Sequence, residues 1–315
     1  MNVVVIGAGA VGGYFGGRLA QAGIDVTFYV RARRFKQLRE RGLQVHSTHG
    51  DFTLHPHLVT ELSDLPKADI VLLAVKGYHL PSAFPVLDAL VGRGAMVLPL
   101  LNGVHHIDTL TERYGTTHVL GGTCYIESTL TAEGDVVHTS PMHDIVFGSL
   151  PGDSLHSSGG TGRAVLEQLQ HAFAEAGVNS TLSEDILVDM WQKYVFLTSF
   201  SAITASVRAP IGKVLQDEVT RNLLIQLVKE VESIARVRGI GLPNDLVNQV
   251  VQRLCNVSPS MTSSLHRDLE KGMPLEINEL QGAAVQMGRQ LGIATPGFEV
   301  IYALLHPYAA GQGGR

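Results

Sequence analysis

The chain has 315 residues, 45% of them hydrophobic, and a formal net charge of −5. That length suits two domains with a sizeable core, the composition is that of an ordinary soluble protein, and the charge gives no reason to expect nucleic acid. No apolar stretch approaches a membrane span, and the opening strand lacks the basic start and cleavage site of a signal peptide; a cytoplasmic protein without a membrane partner is expected.

The predicted elements begin at once. Val3-Val4-Val5-Ile6 runs into Gly7-Ala8-Gly9-Ala10-Val11-Gly12. A helical stretch follows with Tyr14, Phe15, Leu19 and Ala20 as its apolar positions, and then a second strand, Asp25–Val30, behind Gly23. This is the order of a dinucleotide-binding βαβ unit. Gly7 allows the tight turn, Gly9 lets the backbone approach a pyrophosphate, and Gly12 lets the helix pack closely on the strand. Helix-start amides, with Ala8, Ala10 and Val11 between the glycines, then hold the phosphates. The motif alone would also suit a glycine-rich turn in an unrelated α/β fold; the flanking strands and helix favour the dinucleotide.

The second strand ends at Arg31, where an NAD site would carry Asp or Glu for the ribose 2′-hydroxyl. A guanidinium there clamps a 2′-phosphate instead, so NADP is the expected cofactor. Arg33 and Arg34 follow, and the basic run through Arg41 also reads as the solvated start of a helix near Phe35–Arg41. A polar, His-rich stretch at 43–58 suits short edge strands. Asp69–Val75 and Ala95–Leu101 are continuous apolar runs, as in strands buried on both faces of a parallel sheet, and His118–Gly122 starts a third. Residues 136–139 and 144–149 alternate like an antiparallel addition. Pro151–Gly162 reads as a loop, and a helix at 162–176 and a strand at 178–183 close the first domain.

From Ser183-Glu184-Asp185, a helix-start signal, the pattern becomes helical: a long segment to about Val207, then 214–238, 243–256, 262–271, 276–291 and 296–305. The expected organisation is α/β, with a doubly wound sheet over 1–183 followed by an all-helical domain over 184–315, and a mobile tail at Gly311–Arg315. Cys124 and Cys255 fit a reducing compartment better than a disulfide framework. The pairs His55/His57 and His105/His106 lack the further ligands a metal needs, so no metal is expected.

Ligands of doubly wound sheets bind at the carboxyl ends of strands. Lys76 and Asn102 directly follow buried strands and are placed to meet the nicotinamide half of a cofactor; they also read as a solvated loop lysine and a turn residue before Gly103. In the helical half Lys193 precedes Tyr194-Val195-Phe196-Leu197. A lysine on such a face can enter a cleft and serve as proton donor, or can simply lie exposed or snorkel.

Gly7–Gly12, Val75-Lys76, Leu101-Asn102-Gly103, Trp191-Gln192-Lys193, and the block Ser263–Asp268 through Leu275-Glu276-Ile277-Asn278 occur in this order. Together they resemble the ketopantoate reductase family (2-dehydropantoate 2-reductase) over nearly the whole chain. The resemblance implies a Rossmann-type domain, a helical domain, and an active site in the cleft. It implies that Lys193 polarises the ketone and protonates the developing alkoxide, and that Asn102 lies by the nicotinamide and the reacting oxygen. Lys76 is implied near the cofactor, Ser264 on the substrate carboxylate, and Glu276 near the cofactor and the lysine.

The chain departs from the family pattern where asparagines are usual, at Leu197, Ser201, Ile211 and Met261, so the resemblance implies a more apolar substrate wall at these positions. Leu197 cannot hydrogen-bond, whereas Ser201 retains a shorter polar contact to substrate. The expected activity is NADPH-dependent reduction of ketopantoate to pantoate, in pantothenate biosynthesis. The alternatives are reduction of another branched 2-keto acid by the same chemistry, and a non-catalytic NADP(H) sensor. The partner implied is a small 2-keto acid, and a homodimer is allowed but not dictated.

Overall fold

The structure, a computed structural model, describes residues 1–152 and 161–311. The expected loop at 151–162 falls mostly, and the expected tail at 311–315 almost wholly, outside them. Two compact units are present. One comprises Met1–Leu101 and His106–Asp189; the other comprises Asn102–His105 and Met190–Arg315.

The first unit contains two sheets. β1 (Asn2–Ile6), β2 (Asp25–Tyr29), β5 (His57–Val59), β6 (Ile70–Leu73) and β7 (Met96–Pro99) form a parallel sheet in the order β5-β2-β1-β6-β7. β6 and β7 are buried along their whole length, as their unbroken apolar runs require. The second sheet is built on β9 (Val136–Ser149). It pairs antiparallel with β8 (Leu120–Leu130) along one side. Along the other it pairs parallel with β3 (Leu43–Ser47) and β10 (Asn179–Leu182), and β4 (Phe52–Leu54) pairs with β3. The apolar run at His118–Gly122 therefore does not extend the parallel sheet. It touches β7 through one bridge, Val97 to Val119, and then leaves for the second sheet. Residues 136–149, read in sequence as two pieces, are one strand.

Helix α1 (Ala10–Gln21) lies between the two sheets, contacting β1, β2 and β6 of one and β3, β8 and β9 of the other. Every residue from Gly12 to Leu19 is buried. Two rows of glycine at i, i+4 spacing make this approach feasible. A Cβ at Gly16 would sit 2.7 Å from Val5 and 2.9 Å from Phe28 of the first sheet. A Cβ at Gly13 would sit 3.0 Å from Val136, and one at Gly17 3.0 Å from Leu43, both of the second. α2 (Ala32–Arg41), α3 (Leu80–Val91), α4 (His105–Tyr114) and α5 (Thr161–Glu175) complete the α/β alternation.

The second unit is helical throughout its described residues. It holds most of α6 (Ile186–Val207), then α7 (Ile211–Gln216), α8 (Glu218–Val237), α9 (Leu246–Asn256), α10 (Ser264–Glu270), a π-helical turn at Asn278–Gly282, α11 (Ala283–Leu291) and α12 (Pro296–Leu305). α6 is capped by Asp185 rather than Ser183: the Asp185 carboxylate accepts from the Val188 amide at 3.4 Å, and Ser183 Oγ accepts from the Asp185 amide at 3.1 Å. Buried Glu230 of α8 caps α12, accepting from the Gly297 and Phe298 amides at 2.9 and 3.1 Å. No described helix is long and apolar enough to cross a membrane.

A cluster that sequence spacing did not reveal joins the second sheet to α1. The rings of His49 and His143 stack with centroids 3.7 Å apart, and His138 lies parallel to both. Tyr14 Oη shares a 2.8 Å hydrogen bond with His143 Nδ1. Burial, then His49, His138 and Arg18, push the His143 pKa down to about 4, against a weaker opposing pull from Asp144. Because the folded pKa lies below the unfolded value, the contribution to stability is complete above pH 6.5 and is lost as pH falls toward 4. The melting temperature should drop across that interval, and His143→Gln should flatten the drop in thermal unfolding followed by circular dichroism.

Candidate active site

The strands of the parallel sheet all run one way, so the segments after β1, β2 and β6 share an edge. β1 stands between β2 and β6, where the winding reverses and open α/β sheets hold their ligands. Gly7 has φ +97°, and a Cβ there would lie 2.7 Å from the Ala74 carbonyl oxygen; at Gly12 it would lie 2.9 Å from Ala74 Cβ. At Gly9 it would meet nothing within 4 Å. The turn is thus closed against the end of β6 and open around Gly9, which is the N-cap of α1. No side chain caps that helix start and no acidic residue occupies its first turn. Amide donors from Gly9, Ala10 and Val11 and the positive dipole end fit a pyrophosphate.

Arg31 is exposed at the end of β2 and donates to Ser82 Oγ at 2.8 Å, at the start of α3. Ser82 in turn donates to the His79 carbonyl at 2.7 Å. Burial, with the nearby Arg31 charge, holds His79 below the usual imidazole range. Lys76 is exposed and opens the short turn Gly77–His79 after β6. The two predicted cations therefore lie along the same edge as the glycine turn. Arg33 is exposed, whereas Arg34 turns inward. Its Nε donates to the Ala8 carbonyl at 2.9 Å and its Nη1 to the Gly134 carbonyl at 2.7 Å. Burial lowers its pKa, with Asp135 opposing.

In the second unit Lys193 is half-buried on α6, its Nζ 3.5 Å from Asn102 Oδ1, at the long limit of a hydrogen bond. The next residue, Gly103, backs onto the π-helical turn, where a Cβ would lie 2.9 Å from the Glu279 carbonyl oxygen. That turn is tied to α6 from the other side: Tyr194 Oη donates to the Leu280 carbonyl at 2.7 Å. Gln281 Nε2 donates to the Thr198 carbonyl at 3.1 Å and to Ser201 Oγ at 2.8 Å. Burial pushes the Tyr194 phenol up, which keeps it a donor. Buried Glu276 lies two residues before the turn. Ser264 is half-buried at the first position of α10, whose cap is Ser263; Ser263 Oγ accepts from the His266 amide at 3.1 Å.

Two sequence expectations change. Ser201 was expected on the substrate, but it is fully buried, and its hydroxyl donates to the Thr198 carbonyl at 3.2 Å while accepting from Gln281. Ile211 was expected on the substrate wall, but it is fully buried core. Leu197, one turn beyond Lys193, is half-buried. Among the described residues no His, Cys, Asp and Glu group could hold a metal. Tyr194 and Gln281 escaped sequence reading because nothing local distinguishes them from neighbours in apolar helices.

Residues 3–152 match the model of the family described as ketopantoate reductase PanE/ApbA, and residues 185–309 match that of its C-terminal domain. The chain belongs to the ketopantoate reductase family. Among relatives, the oxidoreductase YkpB of Bacillus subtilis is 33% identical over 310 residues, covering 98% of this chain and 99% of the relative. A 2-dehydropantoate 2-reductase of Nostoc sp. is 28% identical, covering 95% of this chain and 92% of its own. A solved 2-dehydropantoate 2-reductase from Geobacter metallireducens superposes with a TM-score of 0.86 at 29% identity, covering 98% of this chain and 99% of that one. This ketopantoate reductase family member is an oxidoreductase with a parallel-sheet α/β domain and a helical C-terminal domain.

The tie between α6 and the π-helical turn should be measurable. Tyr194→Phe leaves the buried Leu280 carbonyl without that donor and should lower stability by about 1–2 kcal/mol, read from urea unfolding.

Proposed function

We propose that the protein reduces ketopantoate to pantoate with NADPH, as a cytoplasmic enzyme of pantothenate biosynthesis. The observation that carries this reading is Lys193, half-buried and held beside Asn102, in a chain whose family relatives include enzymes named 2-dehydropantoate 2-reductase. The preference for NADPH rests on Arg31, a cation where an NAD site carries a carboxylate. The cytoplasmic setting rests on two cysteines that form no disulfide, Cys124 and Cys255.

A bound nicotinamide supplies the hydride that becomes the new C–H bond. The chain's own residues manage the oxygen. The Lys193 ammonium donates to the ketone oxygen, stabilises negative charge as the π electrons move onto it, and gives it the proton that completes the alcohol. Asn102 Oδ1 accepts from Lys193 Nζ and fixes its direction. Ser264 binds the substrate carboxylate. Gly7–Gly12, Arg31, Lys76, Asn102 and Glu276 are the residues that would hold the cofactor.

One observation favours a second reading. With Ser201 engaged by Gln281 and Leu197 next in line after Lys193, this face of α6 offers a substrate little hydrogen bonding beyond the lysine. A branched 2-keto acid without a hydroxyl would suit it, since an unmet hydroxyl costs discrimination in such sites.

Steady-state NADPH oxidation with ketopantoate and a panel of branched 2-keto acids decides between them: faster turnover of ketopantoate at equal low concentration supports the first. Lys193→Ala should lower kcat by roughly 10²–10⁴ with cofactor binding nearly kept. A variant keeping more than about a tenth of parental kcat would show that another group is the acid. In fluorescence titrations NADPH should bind more tightly than NADH, and Arg31→Asp should abolish or reverse that order; equal parental affinities would reject the assignment of NADP.

A further inference from the structure

We infer that Arg34 is a positioning residue for the dinucleotide-binding turn, acting through the Ala8 carbonyl rather than by touching a cofactor phosphate. The inference rests on the reading of that turn as a pyridine-nucleotide site.

Arg34 stands three residues beyond Arg31 in an apparently uniform basic run, yet its contacts are of a different kind. Arg31 is exposed and reaches along the sheet edge. Arg34 sends Nε to the Ala8 carbonyl at 2.9 Å and Nη1 to the Gly134 carbonyl at 2.7 Å. A guanidinium is a rigid planar fork, so two engaged donors fix its plane. Its third nitrogen, Nη2, is buried with no hydrogen-bond partner among the described residues, so the two engaged nitrogens both serve backbone carbonyls.

The far end of the contact is shaped to receive it. Gly134 has φ +92°, and a Cβ there would collide with Arg34 Nη1. The adjacent Asp135 accepts from Arg41 Nη2 at 2.9 Å. The tip of the β8–β9 hairpin is therefore fastened to α2 at two points, and Arg34 carries that attachment on to the second residue of the glycine motif.

The consequence lies in the peptide between Ala8 and Gly9. The described chain has no cis peptides, so C=O and N–H of this unit point in opposite directions. Holding the Ala8 oxygen toward Arg34 directs the Gly9 N–H away from it, and the space around Gly9 is open. A cation on the carbonyl also polarises the peptide, which strengthens the N–H as a donor to an anion. Arg34 thus pre-orients a phosphate donor before any ligand arrives.

The test compares the parent protein with R34M and R34K. Equilibrium titration with NADPH and with NADH should show R34M weakening both by the same factor, roughly ten-fold, the loss expected of a charge-assisted hydrogen bond. KM for the cofactor should rise more than kcat falls, and R34K should restore part of the loss by reaching one carbonyl. Without cofactor, amide exchange over residues 7–13 and 131–135 should quicken in R34M while the rest of the chain keeps parental rates. A loss confined to NADPH would overturn the inference and make Arg34 a 2′-phosphate ligand; unchanged affinity or unchanged exchange would also overturn it. If R34M fails to fold, R34K must still weaken both cofactors equally. A parent that binds neither cofactor would reject the reading of the site, while the exchange measurement would still decide whether Arg34 holds the turn.

Discussion

The structure of the first unit depends on one helix having no solvent-facing side along most of its length. α1 is pressed between a parallel sheet and a second, mixed sheet, and eight consecutive residues from Gly12 to Leu19 are buried. Glycine inside a helix costs about 1 kcal/mol relative to alanine, and α1 carries four, at Gly12, Gly13, Gly16 and Gly17. The compensation is geometric. Gly12 and Gly16 let the helix approach the first sheet, and Gly13 and Gly17 let the second sheet approach the helix. With α1 fixed on both sides, its N-terminus and the turn before it are fixed as well. A phosphate site made of backbone amides needs that rigidity, because the amides have no side-chain rotamers with which to adjust.

A comparable constraint organises the helical unit. The π-helical turn at Asn278–Gly282 opens directly into α11. Such turns recur at functional sites because the wider loop alters the direction of side chains. Here the turn is stitched to α6 by Tyr194 and Gln281 and touched on its outer side by Gly103. Lys193 and Asn102 are the adjoining residues on those two segments, so the packing that holds the turn also sets the lysine beside the amide. Ser201 contributes to this stitching, which is why its hydroxyl is taken.

The basic run from Arg31 to Arg41 illustrates how tertiary contacts sort similar residues. Arg31 remains at the sheet edge, Arg34 turns inward to two carbonyls, and Arg41 pairs with Asp135. Formal charge is the same in each case, but desolvation differs, and a guanidinium drawn out of water takes protein partners for part of its fork of donors. Arg18 follows the same rule, lying over the Tyr14 and Phe52 rings and donating to the His49 and Gly50 carbonyls at 3.1 and 2.9 Å.

The sequence by itself determined the βαβ start, the buried strands β6 and β7, the change from α/β to helical character, and the family. These are legible because they rest on local spacing: a glycine motif between strand and helix, unbroken apolar runs, and ordered short motifs. Only the tertiary structure decided that the strand at 120–130 leaves the parallel sheet, that α1 is covered on both faces, and that His49, His138 and His143 stack together. It alone assigned the Ser201 hydroxyl to Gln281, Ile211 to the core, and Arg34 to the Ala8 carbonyl. Those outcomes depend on partners 80 residues away in the chain for Ser201 and 26 and 100 residues away for Arg34, or on which face of an element another element covers. Periodicity tells which residues seek burial and which polar groups seek partners, but the partner is chosen by packing between segments that share no local pattern.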